Sequence, residues 1–406
     1  MKVLMAPKNY SGQVFLLARK LNEMGHAVDQ LEYVNPDNKP SMGYRSLEFH
    51  DVRPGTVIQD QFSALSHALE QDYDIFHFWN RSLVFVGTPY DQFMGIDIMM
   101  LKARGKKIIY RFTGNDARLP SVDKAVNPYS FFKYGYDSPH DENKMRRYID
   151  FLRQYVDQFV VQDPELAQFI PEATVIPRAL SLDEWHNVGL VNSERPLVLH
   201  ASTNDQLKGT AFIEKAVQEL ENEGLEFDYE KVSNLSHDEA VARYRRADIC
   251  IDNLHQGCLT VFAMEAMALG KATMNYIRED LYQPMYGEVP VENVNPDNVK
   301  EKLRKLITDR SRRIELSEQG RRFIEQHFDV DNVAQMLAGL YQKVGSEPSR
   351  FPAGTRDFEY VTETLKHFRL SIQNNNILQR SLDRLNAEAE SNAVSRWKFW
   401  RRSGRA

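Results

Sequence analysis

Short apolar runs and segments of helical period alternate along most of this chain. Lys2–Ala6 is apolar after its first residue, Val14, Leu17, Ala18 and Leu21 then recur at helical spacing, and a second run follows at 27–33. Runs closed off by polar loops read as buried strands and the spaced set as an amphipathic helix, so the chain opens with a βαβ unit. Residues 35–56, rich in Pro, Gly and Asp, read as loop with one short strand at 47–50. A helix from Phe62 leads to a strand at 74–79, a helix at 91–104 to a strand at 106–112, and a helix at 144–155 to a strand at 158–162. A short helix from Pro164 and a strand at 174–177 complete the first half. Residues 178–195 are polar with few periodic apolar positions, which suits an interdomain linker.

The alternation then resumes. Strands are expected at Leu197–Ala201, 227–232, 248–253 and 272–276 with helices between them, two helices within 295–328 and another at 330–344. This order predicts parallel sheets covered on both faces. Pro348, Pro352 and Gly354 break the pattern; beyond them two apolar seams, Val361/Leu365/Phe368/Ile372 and Leu378/Leu382/Leu385/Ala389, predict a helical tail able to pair with a second copy.

Composition narrows the function. A length of 406 residues exceeds one comfortable core, and 42% hydrophobic residues is enough for two. The formal charge of -6 argues against a general nucleic-acid binder. The end is different: residues 396–402 mix Trp and Phe with Lys and Arg, a composition suited to an anionic membrane surface. Two cysteines, Cys250 and Cys258, are too few for a disulfide framework. Residues 1–3 run directly into a strand and no apolar run approaches ~18 residues, so a cytoplasmic protein is expected, peripheral on the inner membrane face at most.

Chemistry concentrates at the strand ends. After Leu197–Ala201 come Ser202, a polar loop, then Lys208, Gly209 and Thr210 entering a helix, an arrangement suited to an anion. After the strand ending at 253 come Gly257, Cys258, Leu259 and Thr260, then a helix carrying Glu265, whose carboxylate can accept two hydrogen bonds from a sugar diol. Asn234 follows another strand end, where a base could sit. In the first half, Gly12 lies at a strand-to-helix turn, and Gly114, Asn115, Asp116 and Arg118 follow the strand at 106–112. The aromatic stretch 127–140 suits packing on its neighbours, stacking on an acceptor sugar or docking at a membrane. Asp72/Asp74 and Asp329/Asp331 have the spacing of paired metal ligands, but the first pair precedes a strand and the second caps a helix, so no metal is expected.

The ordered segments LVLHASTNDQLKGTAFIEKAV and YRRADICIDNLHQGCLTVFAMEAMALGKATMNYIRED resemble the donor domain of retaining GT-B glycosyltransferases, the group that includes glycogen synthase and mannosyltransferases. The resemblance covers most of residues 1–345. It implies an α/β GT-B fold: two Rossmann-like doubly wound domains facing across a cleft, 1–180 on the acceptor side and 181–329 on the donor side, a crossover helix at 330–346 and the tail 347–406. It further implies retaining hexosyl transfer from a UDP- or GDP-type sugar to a glycan, lipid-linked or cell-surface polysaccharide acceptor, without a cofactor or required metal. Lys208 would hold the diphosphate and Glu265 the ribose. Gly12, Gly114, Arg118, Ser202, Gly209, Asn234, Gly257, Cys258, Leu259 and Thr260 would complete the donor site, and Asp116 would join Lys208 in catalysis. Three positions depart from the pattern. Residues 202–206 lack the family's phosphate-binding Arg, Gly257 replaces a Glu, and Thr113 replaces a cleft His. These departures keep open a non-catalytic GT-B accessory subunit that binds a glycan or a partner transferase.

Overall fold

The computed structural model describes residues 1–34, 51–54, 58–84, 95–138, 140–191 and 194–348. The expected strand at 47–50, the start of the helix at 91–104, the tail helices and the basic aromatic end lie outside the described residues. A short strand is present at Asp51–Pro54 instead.

In chain order the strands are β1 Lys2–Ala6, β2 Ala27–Val34, β3 Asp51–Pro54, β4 Ile75–Trp79, β5 Lys107–Phe112, β6 Gln158–Val161 and β7 Thr174–Val175. Then come β8 Leu197–Ala201, β9 Asp228–Val232, β10 Ile249–Ile251, β11 Ala272–Asn275 and β12 Glu292–Asn293. The helices are α1 Gln13–Glu23, α2 Ile58–Glu70, α3 Ile96–Ala103, α4 Pro120–Val126, α5 Glu142–Tyr155, α6 Asp205–Lys208 and α7 Thr210–Asn222. They continue with α8 His237–Tyr244, α9 Val261–Ala268, α10 Glu279–Tyr286, α11 Val299–Thr308, α12 Arg310–His327 and α13 Val330–Ser346.

Two parallel sheets result, ordered β3-β2-β1-β4-β5-β6-β7 and β12-β11-β10-β8-β9. The strand order reverses beside β1 in the first and beside β8 in the second. Ligands of open parallel sheets collect at the carboxyl ends of strands next to such reversals. That places the loops after β1 and β4, and after β8 and β10, at the centre of the molecule's chemistry, with the loop after β5 one strand away.

Periodicity explains the packing. Val14, Leu17, Ala18 and Leu21 of α1 are buried to within 1% and pack in one cluster with Val333, Ala334, Leu337 and Tyr341 of α13, so the last described helix completes the core of the first sheet. Tyr341 Oη lies 2.8 Å from Nδ1 of the buried His77 on β4, whose pKa burial drives well below the ordinary value. This strand histidine thus serves packing. Asp329 accepts from Asp331 N–H and caps α13, as its position in the sequence suggests. Helix α9 is apolar on every side. Its residues from Phe262 to Ala268 are all buried, and Met267 packs toward Gly320 of α12, where a Cβ would meet its side chain only at 3.5 Å. Glu265 is the one charge within it.

Candidate functional site

The loop after β8 is built differently from its sequence pattern. Asn204 Oδ1 accepts from Leu207 N–H at 3.1 Å and starts the one-turn helix α6, which Lys208 ends. Gly209, at φ +75°, then breaks the chain before α7. A Cβ on Gly209 would lie 2.8 Å from His255 Nε2, so this glycine is required by the approach of the His255 ring rather than of a ligand. The Lys208 side chain is carried away from α7, to the amino end of α9. There its ammonium pairs with the fully buried Asp252 and lies 3.2 Å from Thr260 Oγ1. The other Asp252 oxygen accepts from the Thr260 hydroxyl and, at 3.0 Å, from Ala263 N–H. The helix amino terminus facing this ammonium is therefore that of α9, not the one directly after Lys208. Glu265, 3% exposed, stands in the second turn of the same helix.

Across from it, the loop after β5 folds around Asp116. Its carboxylate accepts from Thr113 N–H at 3.0 Å and Gly114 N–H at 2.6 Å, and burial pushes its pKa up to about 6. Arg118 is committed internally. Nε and Nη2 donate to Glu165 at 2.9 and 2.7 Å and Nη1 to Asn115 at 2.6 Å, so this guanidinium fixes the loop instead of offering an open fork to a ligand.

A cavity of about 550 Å³ separates the two sets. Of the residues named from sequence, Gly114, Asp116, Arg118, Ser202, Lys208, Asn234, Cys258, Thr260 and Glu265 line it. Four named residues lie off its wall. Gly12 is flanked by the lining residues Ser11 and Gln13, and Gly209 faces His255. A Cβ on Gly257 would meet Arg278 Cγ at 2.6 Å, away from the cavity. Leu259 is 1% exposed and its N–H is spent on Tyr282 Oη at 3.0 Å, so it cannot serve as a backbone donor to a ligand.

Sequence reasoning missed two further residues. Asp252 ends an apolar strand run and gave no signal except a carboxylate where the run should close. Arg178, placed in a linker, lines the cavity; its Nη2 donates to Leu259 O. Beside it Asp163, Glu165 and Cys258 bring two carboxylate oxygens and a thiol within 4.8 Å of one another. A cation there would have to displace two guanidinium groups, since Arg118 holds both Glu165 oxygens and Arg178 approaches Asp163 at 3.5 Å. Burial also pushes the Cys258 thiol pKa well up, away from the thiolate that metals prefer.

The aromatic stretch bridges to the second half. Tyr134 stacks on His255 at 4.5 Å, Asn127 Nδ2 donates to His255 O at 2.9 Å, and Arg278 Nη1 donates to Val126 O at 2.8 Å. Of the uses its composition allows, packing across to the second half is the one seen.

Two parallel α/β halves with this topology and a cavity lined from both define the GT-B architecture. No protein-family model matches the chain, and no curated protein matches it. Solved structures do. Sucrose-phosphate synthase from Thermosynechococcus elongatus is similar with a TM-score of 0.59 and 15% identity, over 85% of this chain and 99% of that one. HepE from Anabaena, in complex with UDP-glucose, is similar with a TM-score of 0.57 and 11% identity, over 84% and 100%. The catalytic domain of starch synthase IV from Arabidopsis thaliana, bound to ADP and acarbose, is similar with a TM-score of 0.56 and 13% identity, over 86% and 100%. At these identities the likeness establishes the fold. Among the described residues no helix is long and apolar enough to cross a membrane.

Proposed function

We propose that this chain is a glycosyltransferase that takes a hexosyl group from a nucleoside-diphosphate sugar. The observation that carries the reading is the grouping of the Lys208 ammonium and the Thr260 hydroxyl at the amino end of α9, with Glu265 in its second turn, on one wall of the cavity. Departure of a nucleoside diphosphate builds charge on the leaving phosphate. A cation and helix N–H groups fixed at that oxygen favour the transition state over the ground state. Glu265 takes the ribose diol, and Asn234 lines the end of the cavity suited to the base. Asp116 holds the Thr113–Gly114 backbone on the opposite wall, where the transferred sugar and the acceptor meet. Similar folds solved with UDP-glucose and with ADP support a nucleotide-sugar donor. In this reading transfer proceeds with retention, without a required metal, to a glycan or lipid-linked acceptor, and the basic aromatic residues 396–402 bring the enzyme to an anionic membrane surface.

One observation favours a second reading. Lys208 and Arg118, two cations expected to meet a donor, are both paired with buried carboxylates, as in an accessory subunit with no nucleotide to hold. Thermal melting with UDP, GDP and ADP separates the two. A nucleotide at a hundredfold its dissociation constant stabilises the fold by about 2.7 kcal/mol; the shift should appear in the wild-type chain and vanish in Lys208→Ala. Melting curves unmoved by every nucleotide would leave only the accessory role.

A further inference from the structure

The diphosphate subsite of this reading is short of positive charge. Asp252 matches Lys208 inside the cavity wall, so the pair adds no net charge. The loop 202–207 contains no arginine or lysine, and its Asp205 is held by Lys231 at 2.7 Å. Arg118 is spent on Glu165 and Asn115.

Arg178 is placed differently. Its side chain is 12% exposed and lines the same cavity, and Nη2 donates to Leu259 O, one residue before Thr260. Nε is buried and finds no hydrogen-bond partner among the described residues. The nearest carboxylate, Asp163, stands off at 3.5 Å, against 2.7 Å for the Arg118–Glu165 pair. Burial and the neighbouring Glu165 push Asp163 up to about 6, against the downward pull of Arg178.

We infer that Arg178 is the second cation of the diphosphate site: its guanidinium and the Lys208 ammonium bracket the Leu259–Thr260 peptide at the mouth of α9, and together they take the two phosphates of a nucleoside diphosphate. This rests on the glycosyl-transfer reading. A guanidinium fork matches phosphate oxygens two at a time, which a second lysine would not do. Arg178 also lies on the crossover between the halves, where Leu180 N–H donates to Phe328 O at 2.7 Å. A phosphate bound there therefore contacts both the donor helix and the hinge.

The test is calorimetric titration of the full chain with uridine, guanosine, adenosine and thymidine mono- and diphosphates, at low and moderate salt. Arg178→Gln should weaken the diphosphate that binds best by about tenfold or more, the usual scale for a lost charge-assisted bond, and change monophosphate affinity far less. Its salt dependence should also flatten, and Arg178→Lys should recover part of the loss. Unchanged diphosphate affinity in Arg178→Gln overturns the inference, as does an equal loss for mono- and diphosphates, which marks a purely structural arginine. A wild-type chain that binds none of the eight nucleotides overturns the glycosyl-transfer reading itself, and the inference with it.

Discussion

Gly209 and His200 sit on either side of the loop that carries Lys208, and each answers to a different constraint. Gly209→Ala forces a side chain into a left-handed conformation and against the His255 ring. It should cost about 1–3 kcal/mol by urea denaturation and should lower nucleotide affinity, because Lys208 is the preceding residue. His200 Nδ1 lies 2.9 Å from Ile251 O, which only accepts, so Nδ1 carries the proton and Nε2 accepts from the Thr210 hydroxyl at 2.8 Å. Burial of this neutral ring brings its pKa down to about 4. The unfolded chain, near the ordinary 6.5, binds more protons between those values. The contribution is therefore fully present above about pH 6.5 and is lost as pH falls toward 4, by about 2 kcal/mol between pH 7 and 5. Asp97 and Asp116, pushed up to about 6, act in the opposite sense. The check is accordingly a difference: denaturation at the two pH values should show His200→Gln losing about 2 kcal/mol less than wild type. Among single residues, Lys208 was legible because it follows a polar loop at the start of a helix, and Glu265 because it is the one charge in an apolar helix. Asp252 was not, because its meaning depends on Lys208, 44 positions away.

At the scale of elements, α3 is tied to the β5–β6 junction by a buried ion pair. Lys102 Nζ donates to both Asp157 oxygens at 2.8 and 2.7 Å, the two side chains are 1% and 6% exposed, and Asp157 also accepts from Ile108 N–H at 2.7 Å. Asp157→Ala strands the ammonium and the amide together. It should destabilise the chain by about 3–5 kcal/mol in chemical denaturation, whereas a double variant with Lys102→Met should recover much of that loss. Elements with a sustained period, such as α1, β1 and β5, could be read from spacing alone. The short α4 could not: among its seven residues the buried one is Asp123, so no apolar stripe marks it. Helix α6 escaped for a related reason, since none of its four residues is buried.

For the whole molecule, the contacts of 126–134 with His255 and Arg278 act as a clasp between the two halves. Tyr134→Ala with Asn127→Ala removes a stacked ring and the hydrogen bond to His255 O while leaving both sheets untouched. Because Asn127 Oδ1 also accepts from Tyr129 N–H and Tyr276 Oη, the double variant should melt somewhat below wild type, scatter X-rays as a more open particle, and bind the preferred nucleoside diphosphate several-fold more weakly. Identical scattering and affinity would show that the clasp does not govern closure. Nothing in the aromatic stretch itself chose between packing, sugar stacking and membrane docking. Its packing on the other half shows only where Tyr134 meets an imidazole from it.

The sequence by itself determined the alternation of strand and helix, hence two parallel sheets with apolar cores, and it put a lysine and a glutamate at strand and helix ends of the second. Those features follow from local period and turn chemistry, which neighbouring residues dictate. Tertiary structure alone decided that Lys208 faces α9 rather than α7, that Asp252 and Glu165 pair with cations expected to be open, and that Arg178 enters the cavity from the crossover. Charge pairing and cavity shape act through space, between residues whose separation along the chain carries no signal.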